Sequence, residues 1–303
     1  MSSQLRRGSF RSDLVPDEVE YALLVADGIK GPPSLVYCLH GGMGSAAMLE
    51  RLAPVINGAW QRRALRPCIF AMPSVGRSLY MNFRDGSQRW EDLLVGPLLD
   101  HLRQVTGASP DRQSTAFVGL SMGGLGALRM TFKYPELAIA VAAVEPGIEP
   151  ALEFSNLTRR DRSFRDDALY ERIFGSPVDG DYWAANNPAT MAYNDPARLR
   201  DSGLAISFEC GDADSLGSYR GAEYLHRILF DAGVSHEYRL VRGADHIGPT
   251  VMPRFAQALA FVGSVFDPPD PGSGPSSLKE YVERNRARAR AGRPEGRRRR
   301  QGL

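Results

Sequence analysis

Phe117-Val118-Gly119-Leu120-Ser121-Met122-Gly123-Gly124 is the stretch that decides how the chain is read. The apolar residues 115–118 read as a buried strand, and the Ala/Leu-rich run 125–132 has helical spacing. Between them lies Gly-x-Ser-x-Gly. After a strand and before a helix, this pattern is a nucleophile elbow: the turn is so tight that side chains two residues either side of the serine would clash. The serine projects from the end of the sheet, above a helix N-terminus that favours negative charge. In a chain with 31 glycines the same pentapeptide also arises as a loop of small residues. The flanking strand and helix favour the elbow.

The pattern repeats outward from this point. Residues 18–27, 34–39, 67–71, 138–144, 204–209 and 237–241 read as strands. Residues 46–56, 90–105, 221–232 and 253–266 carry apolar residues at helical spacing, with Pro97 as a possible kink. Alternating strands and helices predict an α/β fold: a mostly parallel sheet covered on both faces. Residues 150–200 break the alternation, being rich in charge, aromatics and Asn/Pro. They are expected to form a helical insertion over the strand ends, where lids sit, or a pair of ordinary surface helices. The expected organisation is one catalytic domain over residues 1–266, then a Pro/Gly linker and an Arg-rich tail over 267–303.

Composition sets the outer bounds. A hydrophobic content of 43% and a charged content of 24% suit a globular protein. The polar N-terminal residues lead into no apolar signal core, and no run approaches membrane-spanning length. Cys38, Cys68 and Cys210 each fall in or at the end of a strand-like run. An odd count in such places predicts buried, reduced thiols and a cytoplasmic location. No Cys/His cluster has metal-ligand spacing. From Lys279 onward, nine arginines and one lysine face three glutamates, so the tail carries +7 and the first 278 residues −5 of the total +2. The tail is expected to be disordered. A basic tail can touch nucleic acid or anionic surfaces, but a solvated tail is the simpler reading.

A serine hydroxyl needs a base in contact with it to act as a nucleophile. Among five histidines, His246 follows a late strand by five residues and is the candidate base. His40 belongs to a glycine-rich turn, His101 and His226 fall on helices, and His236 precedes a strand. An acid must fix the imidazole tautomer. Asp212 and Asp214 follow the preceding strand, with Asp214 better spaced, while Asp245 adjoins His246 and its side chain should point away. Ser121, Asp214, His246 is the chain order of α/β-hydrolases. The oxyanion of an acyl-transfer intermediate would meet the Met122 N–H and a backbone N–H from His40-Gly41-Gly42-Met43-Gly44. Gly42 and Met43 both qualify. Glu145 could meet a cationic substrate group, but it reads first as a solvated loop carboxylate.

With these pieces in place the chain resembles the putative esterase family. That group of α/β-hydrolases includes esterase D (S-formylglutathione hydrolase), the antigen 85 mycolyltransferases, and feruloyl and enterochelin esterases. The resemblance rests on Leu39-His40-Gly41-Gly42, Trp90-Glu91-Asp92-Leu93-Leu94, Gly119-Leu120-Ser121-Met122-Gly123-Gly124-Leu125-Gly126-Ala127-Leu128, Cys210-Gly211-Asp212-Ala213-Asp214, Tyr219-Arg220-Gly221-Ala222-Glu223-Tyr224-Leu225 and His236-Glu237-Tyr238. It implies an α/β-hydrolase fold and a carboxylester or thioester hydrolase working through an acyl-enzyme, with nucleophile Ser121, acid Asp214 and base His246. It implies no cofactor and a small-molecule ester or thioester substrate. Three departures stand out: Ile247-Gly248-Pro249-Thr250 where aromatic residues often follow the histidine, Glu145-Pro146-Gly147 where Ser-Gly is common, and Gly96-Pro97 where Glu-Leu is common. The first two lie at the catalytic edge and bear on substrate. An acyltransferase with the same triad, a peptidase, or a silent binding module on this fold are the rival readings.

Overall fold

The structure is a computed structural model that describes residues 2–162, 164–268 and 277–291. Eight strands form one sheet: β1 (Ser3–Phe10), β2 (Val19–Ala26), β3 (Leu35–Leu39), β4 (Ile69–Pro73), β5 (Thr115–Leu120), β6 (Ala140–Val144), β7 (Ala205–Gly211) and β8 (Glu237–Val241). Their order across the sheet is β1-β2-β4-β3-β5-β6-β7-β8. β1 and β2 pair antiparallel, as do β2 and β4, and every other pair is parallel. This mostly parallel sheet with helices on both faces is an α/β-hydrolase fold.

The central strands β3, β4, β5 and β6 are buried along their whole length, as strands covered on both faces must be. Alternate side chains feed two cores. Leu35, Tyr37, Phe117, Val141 and Phe208 face one core, and Val36, Cys38, Phe70, Val118 and Ala142 face the other. The second core is roofed by α1 (Met48–Gln61) and α10 (Val251–Phe266), which pack against each other. The first is covered by α2 (Trp90–Val95), α3 (Pro97–Thr106), α4 (Met122–Lys133) and helices further along the chain.

Three local features differ from the sequence reading. β1 is an edge strand with a largely exposed, polar face, so no apolar alternation marks it in the sequence. The helix expected over 90–105 is two helices: Gly96 takes φ −115° and ψ −111°, and Pro97 restarts the chain at the first position of α3. The third concerns the tail.

Between β6 and β7, residues 150–200 hold a short 3₁₀ turn and four helices: α5 (Asp167–Phe174), α6 (Gly180–Ala185), α7 (Pro188–Asn194) and α8 (Pro196–Ser202). Asp166, Asp179 and Asp195 cap α5, α6 and α8 with side-chain bonds to Leu169, Tyr182 and Arg198 N–H. An aromatic cluster of Phe154, Tyr170, Phe174, Tyr182 and Trp183 holds the segment together. After β7 come α9 (Tyr219–Asp231), β8 and α10.

Residues 1–267 form one compact unit and 268–303 another. In the second unit Ser277–Ala291 form α11, where disorder was expected. Alanine, arginine, lysine and glutamate all favour helix, and Glu280 lies four residues before Arg284. The rest of the basic tail, 292–303, and most of the Pro/Gly linker, 269–276, lie outside the described residues. Among the described residues no helix is long and apolar enough to cross a membrane.

Candidate active site

The tight spacing at the elbow has a direct steric cause. A Cβ on Gly119 would fall 2.1 Å from Gly123 O, and one on Gly123 would fall 2.1 Å from Leu39 O. Both distances are far inside van der Waals contact. Ser121 itself sits at φ 54°, a left-handed conformation that non-glycine residues rarely adopt. The turn is pinned by Ser121 N–H donating to Val144 O, and by Ser121 O accepting from Leu125 and Gly147 N–H. The serine therefore stands where β5 meets the N-terminus of α4.

The structure brings Ser121, His246 and Asp214 together. Ser121 Oγ lies 2.8 Å from His246 Nε2, and His246 Nδ1 lies 2.9 Å from Asp214 Oδ2. With an ionised Asp214 accepting, Nδ1 carries the proton and Nε2 is free to accept from the serine hydroxyl. The Asp214 side chain is fully buried. Burial alone would raise its carboxyl, but hydrogen bonds from His246, from Glu145 and from the Leu216 N–H hold it well below the usual range. Its other oxygen accepts from Leu216 and Gly217 N–H at 2.7 and 3.1 Å. Asp212 is not at this site: it accepts from Gly243 N–H. Asp245 accepts from Ser215 N–H and from the His246 backbone, away from the imidazole.

The glycine-rich turn after β3 runs alongside. A Cβ on Gly41 would touch Ser121 Cβ at 3.5 Å, and one on Gly42 would lie 4.0 Å from Met122. Gly42 and Met43 therefore border the elbow, with the Met43 side chain almost wholly exposed. The N–H of Met122 is the first of α4 and has no intrahelical acceptor. His40, fully buried, accepts from Val75 N–H through Nε2, so its Nδ1–H donates to Gly41 O at 2.8 Å. Tyr80 Oη donates to His40 O at 2.9 Å. Together they fix the glycine turn, a role that the sequence reading left unassigned. His101 bonds Tyr21, and His226 bonds His236, all away from Ser121.

A cavity of about 780 Å³ opens over Ser121. Met43, Met48, Leu79, Met122, Leu169 and Ile247 supply much of its wall, and Phe164, Arg165 and Leu169 come from the segment between β6 and β7. Arg51 and Arg77 also line it. Arg165 is neutralised by buried Glu149. Arg77 has a long contact of 3.4 Å to Asp166, and Arg51 has no ion-pair partner among the described residues.

Glu145 corrects the sequence reading most sharply. It is 2% exposed, not solvated, and lies at the end of β6 with φ 51°. Arg254 pairs with it, Gly211 N–H donates to it at 3.0 Å, and Cys210 Sγ lies 2.6 Å away. Glu145, Asp214 and His246 each offer a ligand-type atom within 4.8 Å of the others. Those atoms are committed to one another, to Arg254 and to Cys210. All three cysteines are free and buried.

Residues 32–245 match the Putative esterase family, and the chain belongs to it. No curated protein matches. Solved structures of the same fold include a ferulic acid esterase, at 19% identity over 88% of this chain and 100% of that one, with a TM-score of 0.70. An S-formylglutathione hydrolase from Agrobacterium tumefaciens matches at 17% identity over 87% and 96%, TM-score 0.71. FphF, a fluorophosphonate-binding serine hydrolase from Staphylococcus aureus, matches at 16% over 88% and 99%, TM-score 0.68. Membership makes the chain an esterase.

Proposed function

We propose that the chain cleaves carboxylic esters or thioesters through an acyl-enzyme on Ser121. The supporting observation is the relay from Asp214 to His246 to Ser121, with contacts of 2.9 and 2.8 Å, ending on a strained serine under an apolar cavity. His246 Nε2 takes the hydroxyl proton as Oγ attacks the substrate carbonyl carbon. The Met122 N–H and a backbone N–H of Gly42 or Met43 stabilise the oxyanion, aided by the N-terminus of α4. The intermediate collapses, and His246 returns the proton to the departing alcohol or thiol. A water, deprotonated by His246, then attacks the acyl-enzyme and releases the acid. Asp214 remains ionised throughout and stabilises the imidazolium.

The wall of the cavity suits an aliphatic or aromatic group. Arg51 has no ion-pair partner among the described residues and Arg77 only the long contact to exposed Asp166, so the cavity carries positive charge that suits an ester with an anionic group. Residues 150–200 cap this site and shape its specificity. Free, buried thiols suit a reducing compartment, and the activity belongs in the cytoplasm.

The test is hydrolysis of p-nitrophenyl esters from C2 to C12, with fluorophosphonate labelling, for wild type and Ser121→Ala. Wild type should hydrolyse and label, and the variant should fall to a residual of about 10³–10⁴ over water. Full hydrolysis by Ser121→Ala ends the proposal.

A further inference from the structure

Four neighbouring parallel strands end beside the cavity, and each delivers one side chain. β5 delivers Ser121, β7 leads to Asp214 and β8 leads to His246. The strand between β5 and β7 is β6, and Glu145 follows it directly. A carboxyl buried there needs compensating partners, and the left-handed φ of 51° at Glu145 is a strained conformation for a non-glycine residue.

Its partners reach both remaining members of the proposed triad. Glu145 Oε1 accepts from Gly211 N–H at 3.0 Å, three residues before Asp214. Its Oε2 lies 2.6 Å from Cys210 Sγ, which is also 3.5 Å from Asp214 Oδ2. Arg254 Nη1 pairs with Glu145, while Arg254 Nη2 donates at 2.7 Å to Asp245 O, the carbonyl just before His246. A second carboxyl, Glu209, lies 3.2 Å from Arg254 Nη1. The other titratable or charged groups facing this cluster are Tyr238 and Arg239 of β8.

We propose that Glu145 is a positioning residue of the triad: through Cys210 and Gly211 it holds the turn bearing Asp214, and through Arg254 the loop bearing His246. One guanidinium and one carboxylate thus link the ends of β6 and β7 to the His246 loop. Partners meet both Glu145 oxygens: Gly211 N–H and Arg254 at Oε1, and Cys210 at Oε2. The neighbouring Glu209 leaves its Oε2 without a partner among the described residues. Burial and Glu145 push Glu209 up to about 7, against the pull of Arg254, and burial and Asp214 raise Glu145 as well.

This inference rests on the triad proposed above, and the experiment separates the two. Fluorophosphonate labelling of wild type tests the triad first; an unlabelled wild type overturns both readings together. Given labelling, Glu145→Gln should lower kcat about 10- to 100-fold with KM unchanged. Removing the Glu145 carboxyl from beside Asp214 should also displace the acidic limb of the kcat/KM profile. Glu209→Gln should lower kcat at least tenfold less. A Glu145→Gln enzyme with wild-type kcat and acidic limb, or one matched by Glu209→Gln, overturns the proposal. If Glu145→Gln does not fold, Arg254→Lys reads the same link: it keeps the cation but cannot bridge Glu145 and the Asp245 carbonyl together. A kcat loss at constant KM then supports the link, and wild-type kcat overturns it.

Discussion

Replacing Gly123 with alanine should damage hydrolysis far more than it damages the fold. The new Cβ would lie 2.1 Å from Leu39 O and 2.8 Å from His40 O, whereas ordinary contact begins near 3.4 Å. The end of β3 and the first turn of α4 must therefore part by about 1.3 Å. Overpacking of this kind costs about 1–3 kcal/mol, a fall in Tm of about 2–10 °C for a domain of this size. Both displaced segments carry proposed oxyanion donors: Met122 on one side, Gly42 and Met43 on the other. A displacement of about 1 Å at such a site costs about 10², and loss of one donor about 10²–10³. Steady-state hydrolysis of p-nitrophenyl butyrate should show kcat down by about that factor, with fluorophosphonate labelling slowed in proportion. Thermal unfolding measured alongside gives the change in stability. A Gly123→Ala enzyme with kcat within about threefold of wild type would refute the steric account of the elbow.

Other expectations follow from groups described by the same structure. Glu91 is buried against Arg129, Lys133 and Tyr134. Burial alone would raise its carboxyl, but these partners hold it at about 2, below the ordinary 4.5. Because the folded value is the lower one, Glu91 contributes about 3 kcal/mol above pH ~4.5, lost as pH falls toward ~2. Urea unfolding at about pH 6 and about pH 3 should show a smaller pH dependence in Glu91→Gln than in wild type; equal dependence contradicts this. Arg77→Gln should lower kcat/KM for a p-nitrophenyl ester with a free carboxylate about 5- to 10-fold, and leave a neutral ester of equal length little changed. Equal effects on both would remove the anion reading. Burial pushes Cys38 and Cys68 up to about 12, and Cys210 is raised further by Glu145. A thiol reagent should therefore modify none of the three quickly in native protein and all three in urea; a fast native thiol would show that the cores open.

The sequence made plain what depends on neighbours in the chain. Gly119, Ser121 and Gly123 announce a turn because the clash they avoid lies within the turn and the adjoining strand. The spacing of Asp214 after Gly211 and of His246 after Val241 is likewise local, and it singled out the residues that meet Ser121. What stayed hidden depends on distant partners. Glu145 looks like a loop carboxylate until Arg254, 109 residues away, is brought against it. β1 carries too few apolar residues to register as a strand, and its place is set by its backbone pairing with β2. Pro97 read as a kink because proline tolerates both a bend and a helix start; the backbone at Gly96 decides between them. In residues 277–291, low hydrophobicity argued for disorder, while helix propensity, which acts without a core, gives α11.

The parallel pairing of β5, β6, β7 and β8 works as a ruler. Neighbouring strands in any sheet lie about 4.8 Å apart, so the lateral separation of residues just beyond their ends is set mainly by backbone hydrogen bonding. Ser121, Glu145, Asp214 and His246 follow successive strands of this series, and the turns beyond the strand ends bring their side chains together. Chain added or removed between β6 and β7 does not enter the measurement. The length of residues 148–204 can thus change without resetting the strand ends that carry Ser121, Glu145, Asp214 and His246.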